Sequence, residues 1–371
     1  MAPASRYCPV DEAGLPGSGT LVPVTSTPPA AADPTPSRST GRRTRGQGWL
    51  VVLGLMTAVP AVAATWLRVV PPSSERLAKV ASFIPYGLIF WLPAVLLIGI
   101  AAARALRHRS PGRRVLVPLA LLCVSGLVAS AIWQGSAFVA DRRPALTEPL
   151  TVTSINVAVR ADPVAAAKAV TGADVAVFVE AQAEWVASLP QAFRTAFPYQ
   201  APAVGSEGAV GSDTVIFSKY PIVASEALPP SNFQQWSAVV RTPQLGQVRV
   251  VAVHPCNPYC RPGLWVQDAT QLRGWLASHR DTMPMIVAGD FNAVDDHLTM
   301  QNLYADGFRS AAALAGAGFV RTWPADRSFP PLIAIDHVLV TPDLTATSFG
   351  TFRVPGTDHL GVRAVLAGVG D

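Results

Sequence analysis

The stretch Met285-Ile286-Val287-Ala288-Gly289-Asp290-Phe291-Asn292 decides the fold and the site of this chain. Its four leading apolar residues predict a buried strand, and Gly289 breaks the apolar pattern. Asp290 and Asn292 follow at the strand exit, so both side chains point the same way if the extended backbone continues. Taken alone, the pair is equally typical of an ordinary Asx turn. The polar residues at the ends of the other predicted strands decide between a functional site and an ordinary turn.

The composition predicts a membrane part and a soluble part. The chain has 371 residues and is 50% hydrophobic, but only 14% of its residues are charged, against about 25% in globular proteins. Residues 1–150 carry 15 basic and 6 acidic residues, whereas residues 151–371 carry 14 basic and 18 acidic residues. A second part of net charge −4 has no general attraction for a polyanion, which disfavours avid nucleic-acid binding.

The first 140 residues predict a tail followed by three transmembrane helices. Residues 1–46 are rich in Pro, Ser, Thr, Ala and Gly and predict a disordered basic tail. Within residues 47–140, three apolar runs over 49–70, 81–103 and 115–138 are each long enough to cross about 30 Å of hydrocarbon. Buried core helices are the weaker alternative, because soluble helices seldom run this far without a charge. Ala61-Val62-Ala63 leaves open that the first run is a cleaved signal sequence.

The arginines predict how these helices are oriented. The tail is basic, and so is the loop between the second and third runs, whereas the loop between the first and second runs has only Arg76 and Lys79 as basic residues. Because basic loops stay in the cytoplasm, the N-terminus is predicted inside and residues 141–371 outside the cell membrane. Arg142 and Arg143 lie on the predicted outer side, against this rule.

Residues 141–371 predict an α+β fold. Short apolar runs separated by Pro, Gly, Asp and Asn predict nine strands, at 150–157, 175–180, 214–218, 237–241, 248–254, 285–288, 335–340, 347–354 and 362–366. Helices are predicted at 162–170, 184–192, 264–279 and 299–314. Many strands with few helices between them favour two packed β-sheets flanked by helices.

Polar side chains stand at or near the ends of these strands, and their repetition favours a pocket over a set of turns. They are Asn156, Glu180, His254, Asp290, Asn292, Asp336, His337, Asp358 and His359. The carboxylates offer hard oxygen ligands suited to Mg²⁺ or Mn²⁺. Zinc is less expected, because no tight His/Cys spacing occurs apart from Cys256 and Cys260. A structural salt bridge remains the alternative for Asp336, and a structural role is favoured for His337.

The ordered set of motifs resembles the endonuclease/exonuclease/phosphatase superfamily. The matching segments are Ser154-Ile155-Asn156, Phe178-Val179-Glu180, Ile216–Pro221, Val253-His254, Gly289–Asn292, Ile335-Asp336-His337 and Thr357-Asp358-His359. The resemblance covers nearly all of residues 150–367. It implies a four-layer α/β/β/α sandwich and metal-dependent hydrolysis of phosphate esters at one end of the sheets.

The resemblance also implies a role for each site residue. Glu180 would be the main metal ligand, with Asn156 and Asp358 beside it. Asp290 would orient or deprotonate the attacking water, and Asn292 would hold a phosphate oxygen. His254 and His359 would flank the phosphate, with Asp336 orienting His359.

Two segments depart from the family pattern or stand close to its motifs. Cys256 and Cys260 lie in an insertion after His254, and outside the cell a disulfide is favoured over a metal-binding pair. Asp295, Asp296 and His297 follow the Asp-x-Asn motif, where a solvated helix N-terminus is preferred over a functional cluster.

The membrane helices favour a membrane-bound substrate. The three spans, the outward domain and the run Arg321-Thr322-Trp323-Pro324 resemble bacterial membrane phosphoesterases associated with glycopeptide (teicoplanin, vancomycin) resistance. This resemblance implies a lipid-linked or cell-envelope phosphate, such as an undecaprenyl (pyro)phosphate, as substrate, and a site tethered to the bilayer meets such lipids at high effective concentration. The alternatives are an extracytoplasmic nuclease and a non-catalytic membrane sensor or binding module.

Overall fold

The structure is a computed structural model that describes residues 40–141, 143–203 and 213–370. The predicted disordered tail falls mostly on residues 1–39, which lie outside the described residues. Residues 40–46, also predicted as tail, instead begin the first helix, α1 (Thr40–Val69). The last Pro of the tail is Pro36, so no proline stops this helix from extending back from the apolar run.

Three further helices complete the first part: α2 (Glu75–Ala81), α3 (Gly87–Arg107) and α4 (Arg113–Gly135). Three segments of this part are long and apolar enough to cross a membrane, namely Gly48–Val69, Ile84–Arg107 and Arg113–Phe138. The predicted second span, 81–103, begins too early. Residues 75–81 form the separate helix α2, and a 3₁₀ turn that contains Pro85 intervenes before α3, because proline favours the first turn of a new helix.

The three long helices pack through small residues and expose large apolar ones. Ala61 and Ala94 are buried against Trp91 and Ile98. Met56, Leu121 and Ile132 are 66%, 62% and 67% exposed. Large apolar surfaces of this kind are not left to water in soluble proteins, so the helices fit a membrane protein.

Residues 150–368 form two mixed six-stranded sheets, which are packed on each other. The strands are β1 (Leu150–Asn156), β2 (Val175–Val179), β3 (Tyr199–Ala201), β4 (Thr214–Ser218), β5 (Ile222–Ala227), β6 (Trp236–Thr242), β7 (Gly246–Val253), β8 (Met285–Asp290), β9 (Arg309–Ser310), β10 (Asp336–Val340), β11 (Leu344–Arg353) and β12 (Leu360–Gly368). The strand order is β11-β12-β1-β2-β4-β3 in the first sheet and β5-β6-β7-β8-β10-β9 in the second.

Helices cover the outer faces of both sheets. They are α5 (Pro163–Ala169), α6 (Ala183–Ala187), α7 (Gln191–Ala196), α8 (Leu264–His279) and α9 (Leu298–Ala305). The short helix α10 (Ala311–Leu314) instead adds Ala311 and Leu314 to the core between the sheets. The core between the sheets is built from small and β-branched side chains such as Val177, Ala238, Val250 and Ala288. A second core joins the first sheet to α5–α7, and a third joins the second sheet to α8 and α9. The predicted four-layer α/β/β/α sandwich, preceded by three helices able to span a membrane, is confirmed.

Two predicted helices have the wrong bounds, and the three strands β3, β5 and β9 were not predicted. The helix predicted at 184–192 is two helices, α6 and α7, because Pro190 cannot continue the first of them and instead precedes the second. The helix predicted at 299–314 ends at Ala305, where Gly307 adopts a φ of +97° and closes the helix end. Strand β5 was missed because it is an edge strand whose mostly exposed residues do not alternate.

Candidate active site

Gly289 lies inside β8 and does not end it, which corrects the predicted strand bound at residue 288. A Cβ atom at position 289 would lie 2.1 Å from the backbone oxygen of Val253. Only glycine therefore allows β7 and β8 to pair in parallel at this point. The pairing carries Asp290 to the edge of the sheet, directly opposite Asp336 of β10.

Asp290 is the centre of the site and also the start of a turn, so both alternatives raised by its sequence context hold. Its carboxylate is buried. Oδ1 accepts a hydrogen bond of 2.8 Å from the backbone N–H of Asn292, as in an Asx turn. Oδ2 accepts a bond of 3.1 Å from the amide nitrogen of Asn156 at the end of β1, which ties the edges of the two sheets together.

Two histidines flank Asp290 at equal distances. The Nε2 atoms of His254 and His359 each lie 3.8 Å from Asp290 Oδ2. The Nδ1 atom of His359 donates to Asp336 Oδ2 over 2.9 Å, and that of His254 donates to Asp213 Oδ2. Each imidazole is thus held by a carboxylate at Nδ1 and presents Nε2 to the centre of the site.

Asp213 is the site residue that the sequence reasoning missed. It directly precedes β4, whereas the family segment recognised in this strand begins only at Ile216. Because β4 runs antiparallel to β2, with Thr214 opposite Val179, the start of β4 lies at the same edge as the end of β2. An acidic residue immediately before the predicted strand 214–218 was the available signal.

The carboxylates around the two imidazoles raise the pKa of both. Burial alone would lower the pKa of His359, but the charge and hydrogen bond of Asp336, with the charge of Asp290, raise it to about 10. Burial likewise opposes a charge on His254, while Asp213, Asp290 and Glu180 raise its pKa above the ordinary value. Burial raises the pKa of Asp290, against the influence of the two histidines. At neutral pH His359 is therefore a cationic hydrogen-bond donor, and the surroundings of His254 favour its protonated form.

Glu180 and Asp358 are the carboxylates best placed to hold a divalent cation. Both are about one-third exposed in their side chains and both line the same pocket. Glu180 Oε1 lies 3.9 Å from His254 Nε2, and Asp358 Oδ1 lies 4.0 Å from His359 Nε2. Asp358 Oδ2 accepts a 2.9 Å hydrogen bond from the indole of Trp323. A pair of hard carboxylates on a site that already holds buried Asp290 suits Mg²⁺ or Mn²⁺.

Asn156 faces this pair through its amide nitrogen. Nδ2 donates to Glu180 Oε1 over 2.9 Å, while Oδ1 accepts from the backbone N–H of Ala158 over 2.8 Å. In this arrangement Asn156 positions Glu180. Its role as a metal ligand stays a prediction.

A second group of side chains has metal-like spacing. Asp290, Asp336 and His359 bring one ligand atom each within 4.8 Å of one another. His359 Nδ1 is already bonded to Asp336, which makes this group an Asp–His pair beside a carboxylate. Metal binding by Glu180 and Asp358 stays a prediction.

The loop after His254 closes another side of the site. Cys256 and Cys260 are joined by a disulfide. Asn292 Nδ2 donates to the carbonyl oxygen of Pro255 over 3.0 Å, and Phe233 stacks on His254 at 4.4 Å between ring centroids.

His337 lies on the opposite face of β10 from Asp336, where its Nε2 bonds to the carbonyl of Ala293.

The linker between α1 and α3 packs directly on the sandwich. Ala78 of α2 is 1% exposed and belongs to the core that contains Trp265 and Phe291. His297 Nε2 donates to the carbonyl oxygen of Ala78 over 2.8 Å and lies 3.1 Å from Ser82 Oγ. The Oε1 atom of Glu75 accepts from the backbone N–H of Gly263 over 2.9 Å.

These contacts correct the predicted solvated helix start for Asp296 and His297, whereas Asp295 is exposed as predicted. His297 is 2% exposed and Asp296 is 9% exposed. Asp296 pairs with Arg68 at the end of α1 over 3.0 Å. Burial raises the pKa of Asp296 to about 6 although Arg68 opposes the shift, and burial lowers the pKa of His297 to about 4. The cluster fastens the sandwich to the membrane helices.

The catalytic pocket consequently has two walls of different origin. Its volume is about 430 Å³. We call Glu180, His254, Asp290, Asp358 and His359 the domain wall, and Lys79, Ser82 and Phe83 the linker wall; both sets line the pocket. Phe83 directly precedes Ile84, the first residue of the second candidate span.

Several solved structures are similar to this chain. An endonuclease/exonuclease/phosphatase from Beutenbergia cavernae has 21% identity and a TM-score of 0.43, over 62% of this chain and 72% of that one. A mannosyl-6-phosphatase from Bacteroides thetaiotaomicron has 16% identity and a TM-score of 0.46, over 59% and 99%. Sphingomyelinase C from Streptomyces griseocarneus has 19% identity and a TM-score of 0.42, over 59% and 99%. A sequence comparison with curated proteins gives no match.

The family model described as the endonuclease/exonuclease/phosphatase family matches residues 153–359. The matched region is more than half of the chain and contains every residue of the domain wall, together with Asp213 and Asp336. The family name covers nucleases and phosphatases, which hydrolyse phosphate esters. The chain therefore belongs to the endonuclease/exonuclease/phosphatase family.

Proposed function

We propose that this protein is a membrane-anchored, metal-dependent phosphoesterase that hydrolyses the phosphate of a lipid-linked or cell-envelope substrate outside the cell membrane. The observation that carries the proposal is the shared pocket. Catalytic side chains of the sandwich and residues of the linker between two candidate spans line one cavity. Phosphate groups at the membrane surface have a high effective concentration at such a cavity.

The domain wall supplies the chemistry that phosphate hydrolysis needs. Water must attack in line with the leaving oxygen while negative charge on the phosphoryl oxygens is neutralised. Asp290 is positioned to orient or deprotonate that water, because its Oδ2 lies at the centre of the site. His254 and His359, as cationic donors, stabilise the phosphoryl oxygens and can protonate the leaving oxygen. Asn292 adds an amide donor for a phosphate oxygen.

Glu180 and Asp358, with Asn156 beside them, are the residues that would hold Mg²⁺ or Mn²⁺. When bound, the cation neutralises phosphoryl charge and polarises the reacting bond. Asp213 and Asp336 orient the two imidazoles and favour their protonated forms before the reaction, so that a proton is available for the leaving oxygen.

The proposed location follows from the charges of the loops. Residues 104–114 contain five arginines and favour the cytoplasmic side. The linker wall and the sandwich then face the outside together, and this agrees with the packing of α2 on the sandwich and with the disulfide at Cys256 and Cys260.

The envelope substrate is supported by the resemblance to bacterial glycopeptide-resistance membrane proteins, which rests on the three spans and on Arg321–Pro324. In this chain Thr322 Oγ1 accepts from the backbone N–H of Asp336 over 3.2 Å, and Trp323 bonds to Asp358. The run therefore supports the domain wall. An extracytoplasmic nuclease is the alternative, and the net charge of −4 in residues 151–371 counts against it. A non-catalytic sensor or binding module is the second alternative, and the complete set of site residues counts against it.

The test is a substrate panel on the purified full-length chain in vesicles. The panel contains a polyprenyl phosphate, phosphatidic acid, bis-p-nitrophenyl phosphate and plasmid DNA, each with Mg²⁺ and with EDTA. We expect release of phosphate or nitrophenol only with Mg²⁺, turnover of at least one lipid phosphate, and little nicking of DNA.

Glu180→Gln is the inactive control for this panel, because it removes one charge from the proposed metal site and keeps the side-chain volume. Strong nicking of DNA without lipid turnover would replace the proposal by the nuclease alternative. Activity that survives both Glu180→Gln and His359→Ala would refute the assigned site.

A further inference from the structure

Lys79 is a cation of the catalytic pocket that the family site does not include. It belongs to α2, outside the matched residues 153–359, yet it lines the pocket together with Asp290 and His359. The proposed chemistry does not need it, because the carboxylate that orients the water, the flanking imidazoles and the proposed metal ligands all belong to the sandwich.

Contacts of residues before and after Lys79 in the chain attach this helix to the sandwich. Ala78 is buried in the core of the sandwich, and Ser82 is hydrogen-bonded to His297. Glu75, one turn earlier, holds the backbone of Gly263. A half-buried lysine on so short and firmly attached a helix can reach only a small region of the pocket.

The ammonium group is directed at the rim and keeps its hydrogen-bonding capacity. Nζ lies 3.7 Å from the centre of the Tyr259 ring, and Tyr259 belongs to the disulfide-closed loop. A cation on an aromatic face is held by the ring but uses none of its N–H donors in conventional hydrogen bonds. Among the described residues, Lys79 forms no ion pair with Asp or Glu, although Glu180, Asp290 and Asp358 line the same pocket.

We propose that Lys79, held by Tyr259, forms a subsite for a second phosphate of the substrate, adjacent to the phosphate that the domain wall hydrolyses. The proposal rests on the proposed function and narrows it to phosphate carriers with two neighbouring phosphates, such as a lipid diphosphate. The unpaired ammonium offers up to three donors to phosphate oxygens, and its place on the linker puts this subsite next to the span that begins at Ile84.

Arg160 is the other unpaired cation of the pocket among the described residues, but it is exposed on the loop after β1. Because no other element holds its side chain, it can move toward either phosphate. Lys79 is held in place, so the discrimination between one and two phosphates is assigned to Lys79.

The test uses inhibition by two phosphonates. Methylenediphosphonate and methylphosphonate compete with bis-p-nitrophenyl phosphate on the full-length chain in detergent, at constant free Mg²⁺. Lys79→Gln should weaken inhibition by methylenediphosphonate about tenfold, the effect of one charge-assisted hydrogen bond, and leave inhibition by methylphosphonate within about twofold. Lys79→Arg should retain the preference for the diphosphonate, and Arg76→Gln, on the exposed side of the same helix, should change neither constant.

If Lys79→Gln weakens both inhibitors equally, Lys79 acts only through its charge and not through a second-phosphate subsite. If it changes neither inhibition constant, Lys79 does not bind the inhibitors and the proposal is refuted. Loss of the preference in Arg76→Gln would also overturn the assignment. The readout needs no lipid turnover. Failure of the wild type on every lipid phosphate would therefore refute the proposed function while leaving the result for Lys79 readable.

Discussion

The domain wall and the linker wall of the pocket differ in the interactions that hold their side chains in place. The side chains of the domain wall are tied to one another by hydrogen bonds at the edges of two sheets, and most of them are buried. The linker wall lies on the seven-residue helix α2 and the turn that follows it. Ala78 of this helix packs in the core of the sandwich, and a few hydrogen bonds complete the attachment. The difference teaches that reaction chemistry and substrate selection are carried by separate parts of the chain, so they can be lost separately.

The largest effects are expected in the domain wall. Glu180→Gln and His359→Asn should each lower kcat by about 10³-fold or more on soluble and lipid phosphates alike. The first weakens the proposed metal site, and the second removes a cation beside the reacting phosphate. Hydrolysis of bis-p-nitrophenyl phosphate and phosphate release from vesicles measure this. Glu184→Gln, on the exposed face of α6, is the matched control and should keep full activity. A variant that loses only one class of substrate would contradict the separation of the two walls.

The next largest effect concerns the two Asp–His pairs. Asp213→Asn and Asp336→Asn should each lower kcat about 10²-fold, since an amide can hold the imidazole in the wrong tautomer and no longer supports its charge. Steady-state kinetics on a soluble diester is sufficient. The equal 3.8 Å spacing around Asp290 predicts similar losses. Normal activity in Asp213→Asn would show that only the His359 side participates.

The pH dependence tests the same pairs. Because the pKa of His359 is raised to about 10 from an ordinary value near 6.5, the stability it contributes is complete below about pH 6.5 and is lost as pH rises through about 10. In EDTA, the urea midpoint of the wild type should fall between these pH values more than that of Asp336→Asn. The alkaline limb of the kcat/KM profile should also move to lower pH in Asp336→Asn. Identical profiles would contradict the charge assigned to His359.

A smaller effect is expected from the disulfide-closed loop, which joins the two walls through Tyr259. Cys256→Ser together with Cys260→Ser should raise KM for a lipid phosphate about three- to tenfold, because Tyr259 is then less firmly held against Lys79. The kcat on bis-p-nitrophenyl phosphate should change less than about threefold. Cys123→Ser, in the helix α4, is the control thiol substitution. An equal loss of kcat on both substrates would show that the loop supports His254 instead.

How far the sequence predicts this molecule also differs between the walls. The strand-end residues Asn156, Glu180, His254 and Asp290 were found because each stands at the end of an apolar run, and His359 was found because it stands just before the last run. The two packed sheets were predicted from many strands with few helices between them, and the four layers from the family resemblance. Asp213 was missed because its inclusion depends on β4 running antiparallel to β2, which a single sequence does not reveal. Asp296 and His297 were taken for solvent-facing residues because their partners, Arg68 and Ala78, lie more than 200 positions away.

The linker wall could not be predicted for a related reason. Residues 75–86 resemble an ordinary short loop between apolar runs, and a part of them was assigned to the second span. Only the tertiary contact of Ala78 with the core of the sandwich brings Lys79 and Phe83 to the pocket. Local sequence pattern therefore predicts the reactive side chains, whereas the residues proposed to select the substrate depend on long-range packing.

The most direct test of the account is to displace the linker wall and compare two substrates. Ala78→Asp places a carboxylate in the buried contact of α2 with the sandwich, whereas Val80→Asp, at a position that is 56% exposed, is the matched control on the same helix. The measurement is kcat/KM for a vesicle-bound lipid phosphate divided by kcat/KM for bis-p-nitrophenyl phosphate. We expect this ratio to fall about tenfold or more in Ala78→Asp and to stay unchanged in Val80→Asp. An unchanged ratio in Ala78→Asp, with α2 shown to be released by proteolysis, would contradict the claim that the membrane linker completes the active site.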